Sequence, residues 1–169
     1  QPVRAIIFGS AIALRDHGVA IAEPEIIART GWSTGELIDA VAGGTSLESY
    51  DLVTLLVGVN DQFRGYAPAQ YEEEFAQILA TAIDLAGGDP ANVVVLSIPD
   101  WGVSPFGADY SREREAAGVA YVDITPISRR AATDPGLIAS DGLHPSAAMY
   151  ALWVEELIAP VRSALVRSD

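Results

Sequence analysis

The chain of 169 residues carries 23 acidic and 10 basic side chains, a net charge of −13, and no cysteine. That length suits one domain with a self-sufficient core, and the missing thiols exclude disulfides, thiolate metal sites and a cysteine nucleophile. The acidic balance argues against unassisted binding of nucleic acid or an anionic membrane, since both need a basic face.

Val3 to Phe8 is a short apolar run ending at Gly9-Ser10, the pattern of a buried strand. Ala11 to Gly18 reads as a short helix, Glu25 to Arg29 as a second strand, and Thr30-Gly31-Trp32-Ser33-Thr34 as a loop. A helix is expected from about Gly35 to Val41, capped by Ser33 or Thr34 and ended by Gly43-Gly44. Leu52 to Val57 is too apolar to face water on either side, so it reads as a central strand. Gly58-Val59-Asn60-Asp61 follows at its end.

Pro68 opens a long helix, with Glu72, Glu73 and Glu74 placed in its first turn as solvated surface. Phe75, Ile78, Leu79, Ala82 and Leu85 form its apolar stripe, and Gly87-Gly88 stops it. Val93 to Ile98 is the next buried strand, leading into Pro99-Asp100-Trp101-Gly102, and Gly118 to Asp123 makes a fifth. A last helix begins near Pro145 or Ser146. Its expected apolar face is Ala147, Tyr150, Ala151, Val154, Leu157, Ile158 and Val161, with Pro160 bending or shortening it.

Strands alternating with helices predict a parallel sheet covered on both faces, as one domain over residues 1–169. Sites in such sheets form beyond the carboxyl ends of the strands. Ser10, Gly31, Asn60, Trp101 and the loop Asp141-Gly142-Leu143-His144-Pro145 can all share that edge. An acid and an imidazole three residues apart can pair, so that the carboxylate fixes the His tautomer and the other ring nitrogen accepts a proton. Ser10 offers a hydroxyl or a helix cap, Gly31 a backbone N–H or merely a turn, and Asn60 an amide N–H₂ or a turn closed with Asp61. Together these are the parts for acyl transfer: a nucleophile, a base and donors for a tetrahedral oxyanion. Trp32, Phe63, Trp101 and Phe106 are candidate pocket aromatics. Arg64 reads as a surface ion pair, Asp100 as structural, and His17, the other of the chain's two histidines, as a helix-end cation.

Gly9-Ser10, Gly31, Gly58-Val59-Asn60-Asp61 and Asp141-Gly142-Leu143-His144-Pro145, in this order, resemble the blocks of the SGNH (GDSL-type) hydrolases. The resemblance implies a three-layer α/β/α sandwich with a five-stranded parallel sheet in flavodoxin-like order 2-1-3-4-5. It implies ester or thioester cleavage without metal or organic cofactor. Ser10 would be the nucleophile and an oxyanion donor, Gly31 and Asn60 the other donors, His144 the base and Asp141 its partner. The first block departs from the family pattern. No Asp stands between Gly9 and Ser10, and Ala11 to Leu14 already looks helical where a loop is expected. A full crossover helix scarcely fits between Phe106 and Gly118, an unusually lean connection, since a crossover needs about a dozen residues or more including its helix. Both places read as lacking residues.

The resulting expectation is a serine esterase for short acyl esters, using Ser10, His144 and Asp141, with Trp32 and Trp101 in its pocket. Its partner is a small-molecule ester; nucleic acid and stable membrane association are not expected, and the oligomeric state stays open. No secretory signal is visible in the sequence, so a cytoplasmic location is expected, with secretion after leader removal as the alternative. The rival from another class is a carbohydrate- or ligand-binding relative without a working nucleophile. A flavodoxin-like nucleotide binder ranks last, since no phosphate loop follows the first strand.

Overall fold

The computed structural model describes residues 5–6, 15–16, 18, 20–44, 49–99, 119–142 and 144–166. Strands β1 (Ala5–Ile6), β2 (Leu52–Leu55), β3 (Val93–Leu96) and β4 (Ala120–Val122) form one sheet in the order β1-β2-β3-β4. All pairs are parallel, with Ala5 opposite Leu52, Val53 opposite Val93 and Val94 opposite Ala120. The described helices are α1 (Thr34–Gly43), α2 (Val59–Phe63), α3 (Pro68–Leu85), α4 (Thr125–Arg129) and α5 (Ala147–Val166).

Every residue of β2 and β3 is buried, which is why their sequences lack polar alternation. The pleat divides their side chains between two cores. Leu52, Val94, Leu96 and Val122 meet Met149, Trp153, Leu157 and Val161 of α5 on one face. Val53, Leu55, Val93 and Val95 meet Phe75, Ile78 and Leu79 of α3 on the other, with Leu37 and Val41 of α1 packed alongside. Helices on both faces of a parallel sheet make three layers.

Several expectations are corrected. Glu25 to Arg29 is not a strand: Glu25 makes only an isolated bridge, and 26–29 is irregular. Ile26 is 62% exposed and only Ile27 packs on the core, so the stretch lacks a buried face to hold it in the sheet. Four strands, not five, therefore stand among the described residues. Pro68 is the first helical residue of α3, which leaves Glu72–Glu74 beyond its first turn, and that turn carries no acid. Glu72 and Glu73 are exposed as expected, but Glu74 is half-buried. It accepts from Gln70 Nε2 at 2.9 Å, while its Oε2 is buried without a partner among the described residues.

On α5 the buried stripe is Met149, Trp153, Val154, Leu157, Val161 and Ala164, whereas Ala147, Tyr150 and Ala151 are exposed. The bulk of Trp153 and Met149 sets which face turns inward, rotating the stripe away from the one expected. Pro160 does not end the helix, which continues to Val166. The buried Val161 and Ala164 beyond it hold that last turn by tertiary contact. Most of Ala11–Gly18, with His17, lies outside the described residues, as do Asp100 and Phe106.

Candidate active site

At the carboxyl end of β2 the chain turns sharply at Gly58, whose φ is +119°. A Cβ there would stand 2.5 Å from Tyr71 Cε2, and the Tyr71 hydroxyl donates to the Val57 carbonyl at 3.1 Å. Only glycine fits both the backbone angle and the space. The turn starts α2 and delivers Asn60, Asp61 and Arg64 beside the loop that precedes α1.

That loop contains a turn from Arg29 to Trp32, closed by Trp32 N donating to Arg29 O at 3.2 Å. Gly31 sits in it with φ +89°, the angle that the third residue of a type II turn requires. Asn60 Nδ2 donates to Trp32 O at 2.8 Å. One of the two amide hydrogens is thereby fixed, which orients the group and leaves the other for a ligand. Arg64 Nη2 donates to Gly31 O at 2.6 Å and Nη1 to Glu36 Oε2 at 2.8 Å. Arg64 is thus an ion pair, as its sequence context suggests, and also a tie to Gly31. The Gly31 N–H has no partner among the described residues.

Asp61 does not merely close the Asn60 turn. It is 2% exposed and receives Thr34 N on both carboxylate oxygens, at 3.1 and 3.0 Å, and Thr34 Oγ1 at 3.1 Å. Burial pushes its pKa up, against the Thr34 hydrogen bonds that pull it down. Ser33 caps α1 in a capping box with Glu36. The Ser33 backbone N–H, and then Arg64, hold the Glu36 carboxyl below its usual range.

On the other side of the edge, residues 138–145 form a loop closed by an antiparallel bridge between Ile138 and Pro145. Ala139 N donates to His144 O at 2.8 Å, and Gly142, at φ +73°, donates its N–H to Ala139 O. Within this frame Asp141 Oδ1 accepts from His144 N at 2.9 Å, and Oδ2 stands 2.6 Å from His144 Nδ1. A carboxylate on Nδ1 keeps the proton there and leaves Nε2 as the acceptor. Ser146 then accepts from Met149 N at 3.3 Å, starting α5 where the sequence places it.

A cleft of about 140 Å³ joins the two halves. His144, Asn60 and Trp32 all line it, together with Ile27, Tyr150 and Trp153. Tyr150 meets Trp153 edge-on at 4.9 Å, and partial burial raises the pKa of its phenol. The Trp153 indole N–H is buried and has no partner among the described residues. The structure therefore brings His144, Asn60 and Trp32 together, with Asp141 on His144 and Gly31 next to Trp32. Ser10 and Trp101 lie outside the described residues. Phe63 does not join the cleft; it is 83% exposed. Sequence reading missed Thr34 as the partner of Asp61 and placed Tyr150 in the core. It also overlooked Trp153, although both aromatics lie in the first two turns of the helix that follows His144. Among the described residues no group of His, Asp and Glu is arranged to hold a metal ion.

Residues 11–152 match the sequence model of the GDSL-like Lipase/Acylhydrolase family. The chain belongs to this family. The match starts one residue after Ser10, so it spans the G-x-N-D and D-x-x-H-P blocks but not the first block. Solved structures with the same fold include the psychrotrophic esterase EstA from Pseudoalteromonas sp., at 14% identity and a TM-score of 0.73, over 96% of this chain and 98% of that one. TesA is similar at 19% identity and a TM-score of 0.71, over 98% and 100%. AlinE4, an SGNH-hydrolase family esterase, is similar at 21% identity and a TM-score of 0.56, over 99% and 97%. No curated protein sequence matches the chain. At these identities the structural likeness carries the fold. Within the GDSL-like family frame, the Asn60 block directly follows strand β2 and the His144 loop directly precedes α5, which packs on the sheet, so both blocks reach the same cleft.

Proposed function

We propose that this family member is a serine esterase acting on small carboxylic esters through an acyl-enzyme. The observation that carries the reading is the 2.6 Å Asp141–His144 pair on the same cleft as the Asn60 amide. In the proposed reaction the Ser10 hydroxyl oxygen attacks the ester carbonyl while His144 Nε2 takes its proton. The oxyanion accepts from Asn60 Nδ2 and the Gly31 and Ser10 backbone N–H groups. Collapse breaks the ester bond, and the proton on Nε2 passes to the departing alkoxide. Water, deprotonated by His144 Nε2, then attacks the acyl carbonyl; the acyl–Oγ bond breaks, the carboxylic acid leaves, and the proton on Nε2 returns to the Ser10 oxygen. Asp141 stays ionised and holds the imidazole tautomer throughout.

The cleft's small volume and its lining of Ile27, Trp32, Tyr150 and Trp153 support a short acyl group. Acetyl esters are then expected to turn over faster than palmitoyl esters, and a series of p-nitrophenyl esters peaking at palmitate would remove that part of the reading. A fluorophosphonate probe followed by peptide mass spectrometry tests the mechanism: labelling at Ser10 is expected. A second reading, a ligand-binding relative without a nucleophile, is favoured by the first block, where Gly9 meets Ser10 without the Asp. Absence of labelling, with retained binding of a non-cleavable ester analogue, would select it.

A further inference from the structure

We propose that Asp61 is a positioning residue: through Thr34 it sets where the Gly31 N–H stands relative to the Asn60 amide. The proposal rests on the reading of those two groups as oxyanion donors. Asp61 adjoins Asn60 on α2, yet it does not line the cleft, so it is placed to act on the site without touching substrate. Its carboxylate takes both the backbone N–H and the hydroxyl of Thr34, a residue with no exposed surface, within 3.1 Å. Thr34 opens α1, three residues after Gly31.

The same loop is held at two other points, Trp32 O by Asn60 and Gly31 O by Arg64. The Arg64 tie is exposed, and the Asn60 tie involves a group that must also serve the ligand. The Asp61 tie alone is buried and has no other task in the cleft. A buried carboxylate is unfavourable unless its hydrogen bonds are made. Two donors on one residue meet that need and fix both distance and angle. The first N–H of α1 is also one of the helix's orphan donors, at the positive end of its dipole. Rigid coupling of two donors matters because small misplacements of catalytic groups lower turnover strongly.

The test compares Asp61→Ala, Asp61→Asn and Thr34→Val with the wild-type protein. Turnover of p-nitrophenyl acetate is measured per active site titrated by fluorophosphonate, and the side-chain amide signals of Asn60 are followed by ¹⁵N NMR. For Asp61→Ala we expect kcat per titrated site to fall about tenfold or more while KM stays within roughly twofold. Asp61→Asn keeps one acceptor and is expected to recover part of the loss, with Thr34→Val also milder than Ala. The Asn60 amide signals are expected to shift in the order of the kcat losses. A purely structural role would lower Tm and the titrated fraction but leave kcat per site and the Asn60 signals unchanged; that result overturns the proposal. If Asp61→Ala does not fold, the two milder variants carry the same comparison. If the wild-type protein cleaves no ester, the proposed function fails separately. The Asn60 signals then decide the coupling alone: a shift supports it and no shift overturns it.

Discussion

His144 and Asn60 are the two side chains whose removal separates chemistry from architecture. The His144 side chain is about half exposed, 52%, in a loop closed by backbone hydrogen bonds that do not involve its ring. His144→Ala should therefore keep the circular dichroism spectrum and melting temperature while lowering kcat by roughly three or more orders of magnitude. Near-normal turnover would rule out the imidazole as the base. For Asn60→Ala, loss of the proposed oxyanion donor should cost roughly 2.7–4 kcal/mol in the transition state, about a hundred- to thousandfold in kcat, with KM little changed. The lost bond to Trp32 O adds a stability cost of about 1 kcal/mol, visible in a urea melt. Asn60→Asp should be worse on both counts. Its carboxylate would face the Trp32 carbonyl that now accepts from Nδ2 at 2.8 Å, and it would also repel the developing oxyanion. An active Asn60→Asp enzyme would refute the donor role.

Among the elements, α1 is the one on which the site's near wall depends, and its start is tied by side chains from Ser33, Glu36 and Asp61. Glu36 titrates below its ordinary value of 4.5 because the folded state gives its carboxylate the Ser33 N–H and Arg64. A lowered folded pKa means that the ionised form favours folding. Its contribution is complete above 4.5 and is lost as pH falls through the lower folded value. Urea midpoints of the wild-type protein and Glu36→Gln should thus differ at pH 7 and converge as the pH drops below the ordinary carboxylate range. A constant difference down to the lowest folded pH would show that the charge contributes nothing. The helix itself is readable from its Ser33-x-x-Glu36 signature, since a capping box is a local pattern. The Asp61 tie is not, because it joins residues 27 apart in sequence.

For the whole molecule, 23 acids against 10 bases mean that the folded state concentrates like charge. Screening should relieve that repulsion, so the melting temperature is expected to rise between about 10 mM and 500 mM NaCl. A flat or falling series would mean that the surface pairs, such as Arg64–Glu36, outweigh the net charge. Sequence alone was enough for the layered α/β class, because β2 and β3 are apolar runs broken only by Thr54 and α3 carries a clear stripe and glycine stop. It was also enough for the Asp141–His144 pair, three residues apart in a turn-rich loop where short range leaves few alternatives. Tertiary structure decided the rest. Glu25 to Arg29 has strand-like residues but no covering partner for Ile26, so burial overruled propensity. The face of α5 was set by where Trp153 and Met149 fit against Leu52 and Val94, which no helical period specifies by itself. Asp61 and Thr34, like Asn60 and the Trp32 carbonyl, find each other only once α1 packs against α3 on one face of the sheet, since hydrogen bonds between distant segments leave no periodic trace in the chain.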